Sequence, residues 1–188
     1  MDNSMKEEWI DGVVMMSPRP MYNHMEIERI IGIELENYFK GKCKVATEYA
    51  LFLTKDDVVA LKKDLPRLKS LISAKQAELV PDVAVYCDKE QIFKRGFLGI
   101  PQLVIEVLSY SNSTDDTEKK KEIYRRYGVP EYWIANPETK EVFVYSLENG
   151  VYEQVGVYNF LEEEIKSARF SELVLDIKYI ELYDDDEF

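Results

Sequence analysis

Two runs of nearly uninterrupted apolar residues lie in the middle of the chain. The first spans residues 79–87 and the second residues 103–108, and each contains a single acidic residue. Apolar runs without alternation indicate strands that are buried on both faces, as in a sheet sandwiched between helices. We therefore predict two interior strands, each with one carboxylate.

Helical periodicity marks two further segments. Residues 23–38 carry Ile27, Ile31 and other apolar residues at a spacing that places them on one face of a helix. A second helix is predicted from about residue 115 to residue 127, because Gly128 favours a helix end and a proline two residues later forbids continuation.

Turn residues predict two hairpins. Asp11-Gly12 divides residues 8–16, and Asn149-Gly150 separates two runs near the C-terminal end. Both pairs tolerate the positive φ angles that tight hairpin turns require. Further strands are predicted over residues 44–53, 131–135, 142–147 and 151–155.

Residues 55–78 differ from the rest of the chain in being rich in Lys, Leu, Asp and Ala, with an interrupting Pro66. We interpret them as one or two helices that form a surface insertion. No internal repeat or flexible linker is present, and 188 residues fit one domain over residues 1–188. The acidic tail, residues 184–188, is interpreted as a solvated end.

The chain is acidic, with a formal net charge of −12 at pH 7. This charge argues against a protein that coats nucleic acid through bulk electrostatics. It leaves room for an enzyme with a local basic patch and a metal that offsets phosphate charge. No run approaches the roughly 18 apolar residues that cross a bilayer, and the N-terminus lacks a signal-peptide pattern. We expect no membrane partner and a cytoplasmic location.

The two cysteines, Cys43 and Cys87, lie far apart and form no C-x-x-C pair. This arrangement implies neither a disulfide framework nor a zinc site. Cys87 closes an apolar run, so we predict buried free thiols.

The acidic residues inside the apolar runs are Asp82 and Glu106. A salt-bridged or edge Glu and a strand-start Asp after Pro81 are ordinary interpretations of each one alone. Two acids on neighbouring buried strands oppose each other's ionisation, and a divalent cation relieves that repulsion. Oxygen ligands favour Mg²⁺, Mn²⁺ or Ca²⁺, while the absence of a Cys/His cluster disfavours zinc.

The second predicted helix carries Asp116, Lys120 and Tyr124 at intervals of four, which places them on one helical face. Lys120 would then assist an attacking water or stabilise charge on a phosphate. A solvated basic face is the ordinary alternative. The same helix offers a basic patch for a nucleic-acid backbone, formed by Lys119, Lys121 and Arg125.

His24, the sole histidine, begins the first helix and falls on its apolar face. A metal ligand, a phosphate contact, and a capping or satisfied core histidine all remain open for it.

In their order and spacing these residues resemble the Uma2 family of the PD-(D/E)XK restriction-endonuclease-like superfamily. The resemblance runs through most of the chain. It is carried by Asp11 to Pro18, His24, Pro81-Asp82-Val83, Glu106-Val107-Leu108-Ser109, Asp116 with Lys120 and Tyr124, Gly128 to Trp133, and Phe170 to Asp176.

The resemblance implies an α/β fold of three layers, α/β/α, with a central mixed sheet. It also implies that Asp82 and Glu106 bind a metal, with the backbone carbonyl of Val107 as a further ligand. The superfamily usually has a lysine two residues after the second acid, where this chain has Leu108.

The family places its lysine on the following helix, which matches Lys120 and makes Tyr124 a supporting neighbour. We hypothesise a Mg²⁺- or Mn²⁺-dependent endonuclease that hydrolyses DNA phosphodiester bonds with a metal-activated water, without an organic cofactor. A homodimer would suit duplex cutting. The rivals are a non-catalytic binding module on this fold and a glycosidase that uses Asp82 with Glu106.

Overall fold

Residues 6–17, 21–109 and 114–183 are described by the computed structural model, and within them the chain forms four α-helices and fourteen strands. The predicted solvated tail lies outside these residues. The helices are α1 (Tyr22–Phe39), α2 (Val58–Lys63), α3 (Leu65–Ser73) and α4 (Thr114–Tyr127). The strands are β1 (Lys6–Ile10), β2 (Val13–Ser17), β3 (Lys44–Thr47), β4 (Leu51–Phe52), β5 (Ala77–Leu79), β6 (Val83–Tyr86), β7 (Ile92–Phe93), β8 (Gly96–Leu98), β9 (Leu103–Val107), β10 (Glu131–Asn136), β11 (Glu141–Glu148), β12 (Val151–Asn159), β13 (Ile165–Lys166) and β14 (Val174–Leu175).

The central sheet has six strands in the order β12-β11-β10-β9-β6-β3 and is mixed, because only β9 and β10 run parallel. Side chains alternate across it. Ile105 and its neighbours two residues away pack against α1, whereas Val104 packs with Ile123 of α4 on the opposite face. Helices therefore cover both faces, and the predicted three-layer α/β/α fold is confirmed.

The two long helices begin and end within one residue of their predicted bounds. Gly128 follows α4 with a φ of 91°, and its N–H donates to the carbonyl of Tyr124, as expected of a glycine that closes a helix. In the described part of the chain, no helix combines the length and the apolar character that crossing a bilayer demands.

A second six-stranded sheet, in the order β2-β1-β5-β4-β8-β7, was not predicted. The strands expected over residues 44–53 and 79–87 each break into two. One piece of each, β3 and β6, lies in the central sheet, and the other piece, β4 and β5, lies in this second sheet. The first break lies at Glu48, where φ is 51°. Its N–H reaches the carbonyls of Pro81 and Asp82, which hold the second break beside the first. Asp82 therefore lies at the junction of the two sheets.

The segment over residues 55–78 contains α2 and α3, and its last two residues belong to β5 rather than to a helix. Asp57 accepts hydrogen bonds from two backbone N–H groups at the start of α2, and Asp64 does so from one in α3. Leu61 packs on a small apolar cluster with Phe52 and Leu98 of the second sheet.

The prediction of buried free thiols is wrong. Cys43 and Cys87 form a disulfide across 44 residues of sequence, and Cys87 is exposed. The reason is the antiparallel pairing of β3 with β6, in which Lys44 lies opposite Tyr86. Cys43 immediately precedes Lys44 and Cys87 immediately follows Tyr86, so the two cysteines lie next to this pair, with their Cα atoms 4.1 Å apart.

Candidate active site

Asp82 and Glu106 are brought together by strand pairing. Strand β6 pairs with β9 so that Val83 lies opposite Ile105. Continuing that register by one residue places Asp82 opposite Glu106. The backbone N–H of Val107 donates to Oδ2 of Asp82 at 2.7 Å, which joins the two segments directly. Both carboxylates are buried.

Each oxygen of Asp82 has its own partners. Lys6 of β1 donates to Oδ1 at 2.8 Å. Oδ2 accepts from Val107 and lies 3.2 Å from Nε2 of His24, the inward-facing histidine of α1. His24 thus contacts one of the proposed metal-binding acids, while its buried Nδ1 has no hydrogen-bond partner among the described residues.

Glu106 faces α4. Lys120 donates to its Oε2 at 2.9 Å, and the hydroxyl of Tyr124 donates to its Oε1 at 2.7 Å. The spacing of four residues in the helix therefore delivers both groups to one carboxylate. The hydroxyl of Tyr124 and the ammonium of Lys120 donate to the same carboxylate, so the predicted support of Lys120 by Tyr124 would act through Glu106.

A third carboxylate, Glu8 of β1, completes the site. Its Oε2 lies 2.8 Å from Nζ of Lys120, and its Oε1 accepts the backbone N–H of Val80 at 2.8 Å. Glu8 is 1% exposed. Lys120 is therefore held between two anionic side chains, one from each sheet.

The electrostatics of the site are set by this crowding of charges. Burial favours the neutral form of Asp82, but the hydrogen bond from His24 and the charge of Lys6 outweigh it and hold the Asp82 pKa below its usual range. Burial raises the pKa of Glu106; Lys120 opposes this rise, and Asp82 reinforces it. Burial also acts to lower the pKa of Lys120, but the neighbouring carboxylates raise it, so this lysine stays charged.

Glu28 of α1 adds a further buried acid. Burial, followed by the charges of Asp82 and Glu48, raises its pKa from 4.5 to about 7. The unfolded chain releases this proton near pH 4.5, whereas the folded protein keeps it until about pH 7. Stability is therefore lost as the pH rises through that window.

We expect Glu28→Gln to be more stable than the wild type above this window and equal to it below. In EDTA, its melting temperature at about pH 8 should rise by roughly 2 to 6 °C, with no gain at about pH 4.5. Thermal melts at both pH values test this. An equal gain at both would show that the proton on Glu28 is not the cause.

Asp82 and Glu106 are the carboxylates at the site that could hold a metal ion. Among the residues that the structure describes, no three His, Cys, Asp or Glu side chains are arranged to hold a metal ion. A closed protein cage is therefore absent from that part of the chain. Asp82 and Glu106 nevertheless offer adjacent hard oxygens, and Mg²⁺ commonly uses one or two carboxylates with waters and substrate phosphate. The donors fit that mode of binding.

The predicted basic patch of α4 does not face this site. Lys121 lies over the ring of Tyr145, 3.9 Å from its centroid. Arg125 is bound to Glu122 and to the carbonyl of Gly150. Lys119 is exposed and lies 3.7 Å from Asp116. Only the lysine between them, Lys120, is turned inward.

Lys6 and Glu8 were missed by the sequence analysis. They lie two residues apart in a strand and so share a face, but alternation alone does not tell which face is buried. Trp9 lies on the opposite face, and its hydrophobic side chain would favour burial of that face. The structure buries Glu8 instead, since its partners come from residues distant in sequence.

Comparisons with known proteins agree with this architecture. A crystal structure described as a putative nuclease belonging to DUF820, from Anabaena variabilis ATCC 29413, aligns with a TM-score of 0.66 over 92% of this chain and 89% of that chain. Their sequences are 19% identical, so the likeness concerns the fold. A search of curated proteins finds no significant match.

The family model that matches residues 1–178 is Uma2, described as "Putative restriction endonuclease". The match spans nearly the whole chain and includes both central acids and Lys120. Together with the structural neighbour it supports a nuclease-like function. This chain belongs to the Uma2 family.

Proposed function

We propose that this protein is a Mg²⁺- or Mn²⁺-dependent endonuclease that hydrolyses phosphodiester bonds of DNA. The observation that carries the proposal is the meeting of Asp82 and Glu106 with the buried ammonium of Lys120, 2.9 Å from Glu106. Adjacent carboxylates can hold a divalent cation, and a neighbouring lysine can stabilise negative charge on a phosphate, so the three groups suit metal-assisted phosphodiester hydrolysis.

In this proposal Asp82 and Glu106 hold the cation, with the carbonyl of Val107 as a further ligand. A divalent cation at that place would activate water and offset negative charge on the phosphate. Lys120 orients the attacking water and stabilises charge that develops on the phosphate oxygens. Tyr124 fixes the orientation of Glu106 through its hydrogen bond.

In the same proposal His24 positions Asp82. Its Nε2 lies 3.2 Å from Oδ2 of Asp82 and keeps that carboxylate ionised and oriented. Binding of the DNA backbone away from the site is assigned to Lys119, Lys121 and Arg125. They lie on the exposed side of α4, although Arg125 and Lys121 would have to leave their present contacts.

We also propose a homodimer in which each copy cuts one strand of a duplex. Size-exclusion chromatography with light scattering tests the assembly, and a monomer at working concentrations would remove it.

The function is tested with supercoiled plasmid and with single-stranded DNA, incubated with Mg²⁺, with Mn²⁺ and with EDTA. We expect cutting only with a divalent cation and its loss in Asp82→Ala and Lys120→Ala. Both variants must first melt cooperatively, because each removes one partner of a buried ion pair.

The main alternative is a non-catalytic module that keeps the fold and binds nucleic acid or protein. The net charge of −12 suits the protein-binding form of this module, because an acidic chain does not attract nucleic acid through bulk electrostatics. Tight DNA binding without cutting under any metal condition would support that module. Cutting that persists in Asp82→Ala would remove the assigned mechanism.

A further inference from the structure

Lys6 is the most exposed charged group at the site. Its side chain is 18% exposed, compared with 4% for Asp82, 7% for Glu106 and 10% for Lys120. The side chain of Lys6 therefore lies on the solvent side of the site, which we call its opening, whereas the side chain of Lys120 lies deeper. A substrate that approaches the two acids meets Lys6 first.

Lys6 contacts Oδ1 of Asp82, which accepts no other hydrogen bond from the residues that the structure describes. Oδ2 is occupied by the N–H of Val107 and by His24. Oδ1 is approached by Lys6 alone among the described residues, at 2.8 Å. Both acceptor positions of Oδ2 are thus filled, so a divalent cation on Asp82 would bind Oδ1 beside this ammonium. Two positive charges so close in a buried place repel each other strongly.

The side chain of Lys6 can leave Asp82 without moving the strand. The backbone of Lys6 pairs with Ser17 of β2, and β5 holds β1 further along, at Trp9 and Ile10, so the strand is anchored independently of the Lys6 side chain. The four-carbon side chain can rotate within reach of the opening.

Among the described basic residues near the site, Lys6 is the one that has to release only a single carboxylate to contact a phosphate. Lys120 is bound between Glu8 and Glu106, and Lys119, Lys121 and Arg125 point away from the acids.

We propose that Lys6 is a further substrate-binding residue. Once Asp82 holds a divalent cation, the ammonium of Lys6 leaves that carboxylate and binds a phosphate oxygen of the substrate. In the metal-free protein Lys6 supplies the positive charge that Asp82 needs. In the working state it contacts the phosphate at the mouth of the site. This inference rests on the proposed function.

Lys6→Met tests both halves of the exchange with readouts that do not need cutting. Mn²⁺ affinity is measured by electron paramagnetic resonance, and we expect it to rise at least about tenfold, because a competing cation is removed. Binding of a fluorescein-labelled duplex oligonucleotide is measured in Ca²⁺ by anisotropy. We expect weaker binding, with the slope of affinity against salt reduced by about one, as for the loss of one phosphate contact.

Lys44→Met is the matched control. It makes the same change of charge on an exposed lysine at the far end of β3, and we expect neither affinity to move. Lys6→Arg keeps the positive charge and should behave like the wild type in both assays. Lys6→Gln replaces Lys6→Met if the latter does not fold, since its amide can still donate to Asp82.

If Lys6→Met or Lys6→Gln binds Mn²⁺ no more tightly than the wild type, Lys6 does not compete with the cation for Asp82, and that half of the proposal is wrong. Unchanged oligonucleotide affinity and salt slope would overturn the phosphate contact and leave Lys6 as a structural ion pair. Failure of the proposed function gives a different result: the wild type would bind Mn²⁺ and yet cut no DNA.

Discussion

Glu106→Gln is expected to lower DNA cleavage by about a thousandfold or more while the protein stays folded. The amide keeps the shape of the side chain and can still accept a hydrogen bond from Tyr124. The substitution removes the negative charge of Glu106 beside that of Asp82, and it leaves Glu8 as the anionic partner of Lys120. Because burial already raises the pKa of Glu106, removing its charge relieves a desolvation cost, and the melting temperature should stay the same or rise.

Single-turnover cutting of supercoiled plasmid in Mg²⁺ provides the measurement, with a thermal melt beside it. Glu153→Gln is the control, because it makes the same chemical change on an exposed position of β12 and should leave both values unchanged. Near-normal cutting by a folded Glu106→Gln would mean that this carboxylate has no part in the reaction.

Glu131→Ala is expected to cause the largest loss of stability, about 3 kcal/mol or more, without a direct effect on the site. Glu131 is fully buried. Its oxygens accept hydrogen bonds from Nε1 of Trp133, the hydroxyl of Ser167, and the backbone N–H groups of Ala168 and Arg169, at 2.6 to 3.1 Å. Alanine would leave these donors without their acceptor, several of them away from water.

Urea unfolding tests this change, and thermal unfolding should show a melting temperature lower by roughly 6 to 12 °C. Glu172→Ala is the control, on an exposed position beyond the same loop. Glu131→Gln keeps an acceptor oxygen and should lose less than Glu131→Ala. A stability equal to the wild type in Glu131→Ala would show that the loop over residues 167–170 is not held by this carboxylate.

Glu106 and Glu131 show how differently buried acids can act in one sheet. They lie on neighbouring parallel strands and both are buried. Glu131 is surrounded by neutral donors, so its negative charge is satisfied locally. Glu106 lies near Asp82 and Glu8, so its charge depends on cations. The second environment is the one that suits metal-assisted chemistry.

Much of the local structure could be predicted, because it depends on neighbours in the chain. The helical spacing of α1, the close of α4 at Gly128, and the turns at Asp11-Gly12 and Asn149-Gly150 all appear where expected. The central sheet followed from apolar runs that no solvent-facing strand would carry. The two acids stood out for the same reason.

Other predictions failed where contacts distant in sequence decide. The expected strands over residues 44–53 and 79–87 are each divided between two sheets, because hydrogen bonds from Glu48 hold the two breaks together. The cysteines form a disulfide because β3 and β6 run antiparallel in one register. Neither the breaks nor the register has a local pattern that would reveal it.

The sequence by itself determined the interior strands with their carboxylates and the helix that carries Lys120, since periodicity and embedded charge are properties of short segments. Only the tertiary structure decided that β1 turns Lys6 and Glu8 inward and exposes more of the other face. Burying a charged strand face costs free energy unless partners meet it. Those partners, Asp82, Lys120 and the N–H of Val80, come together only when both sheets have formed.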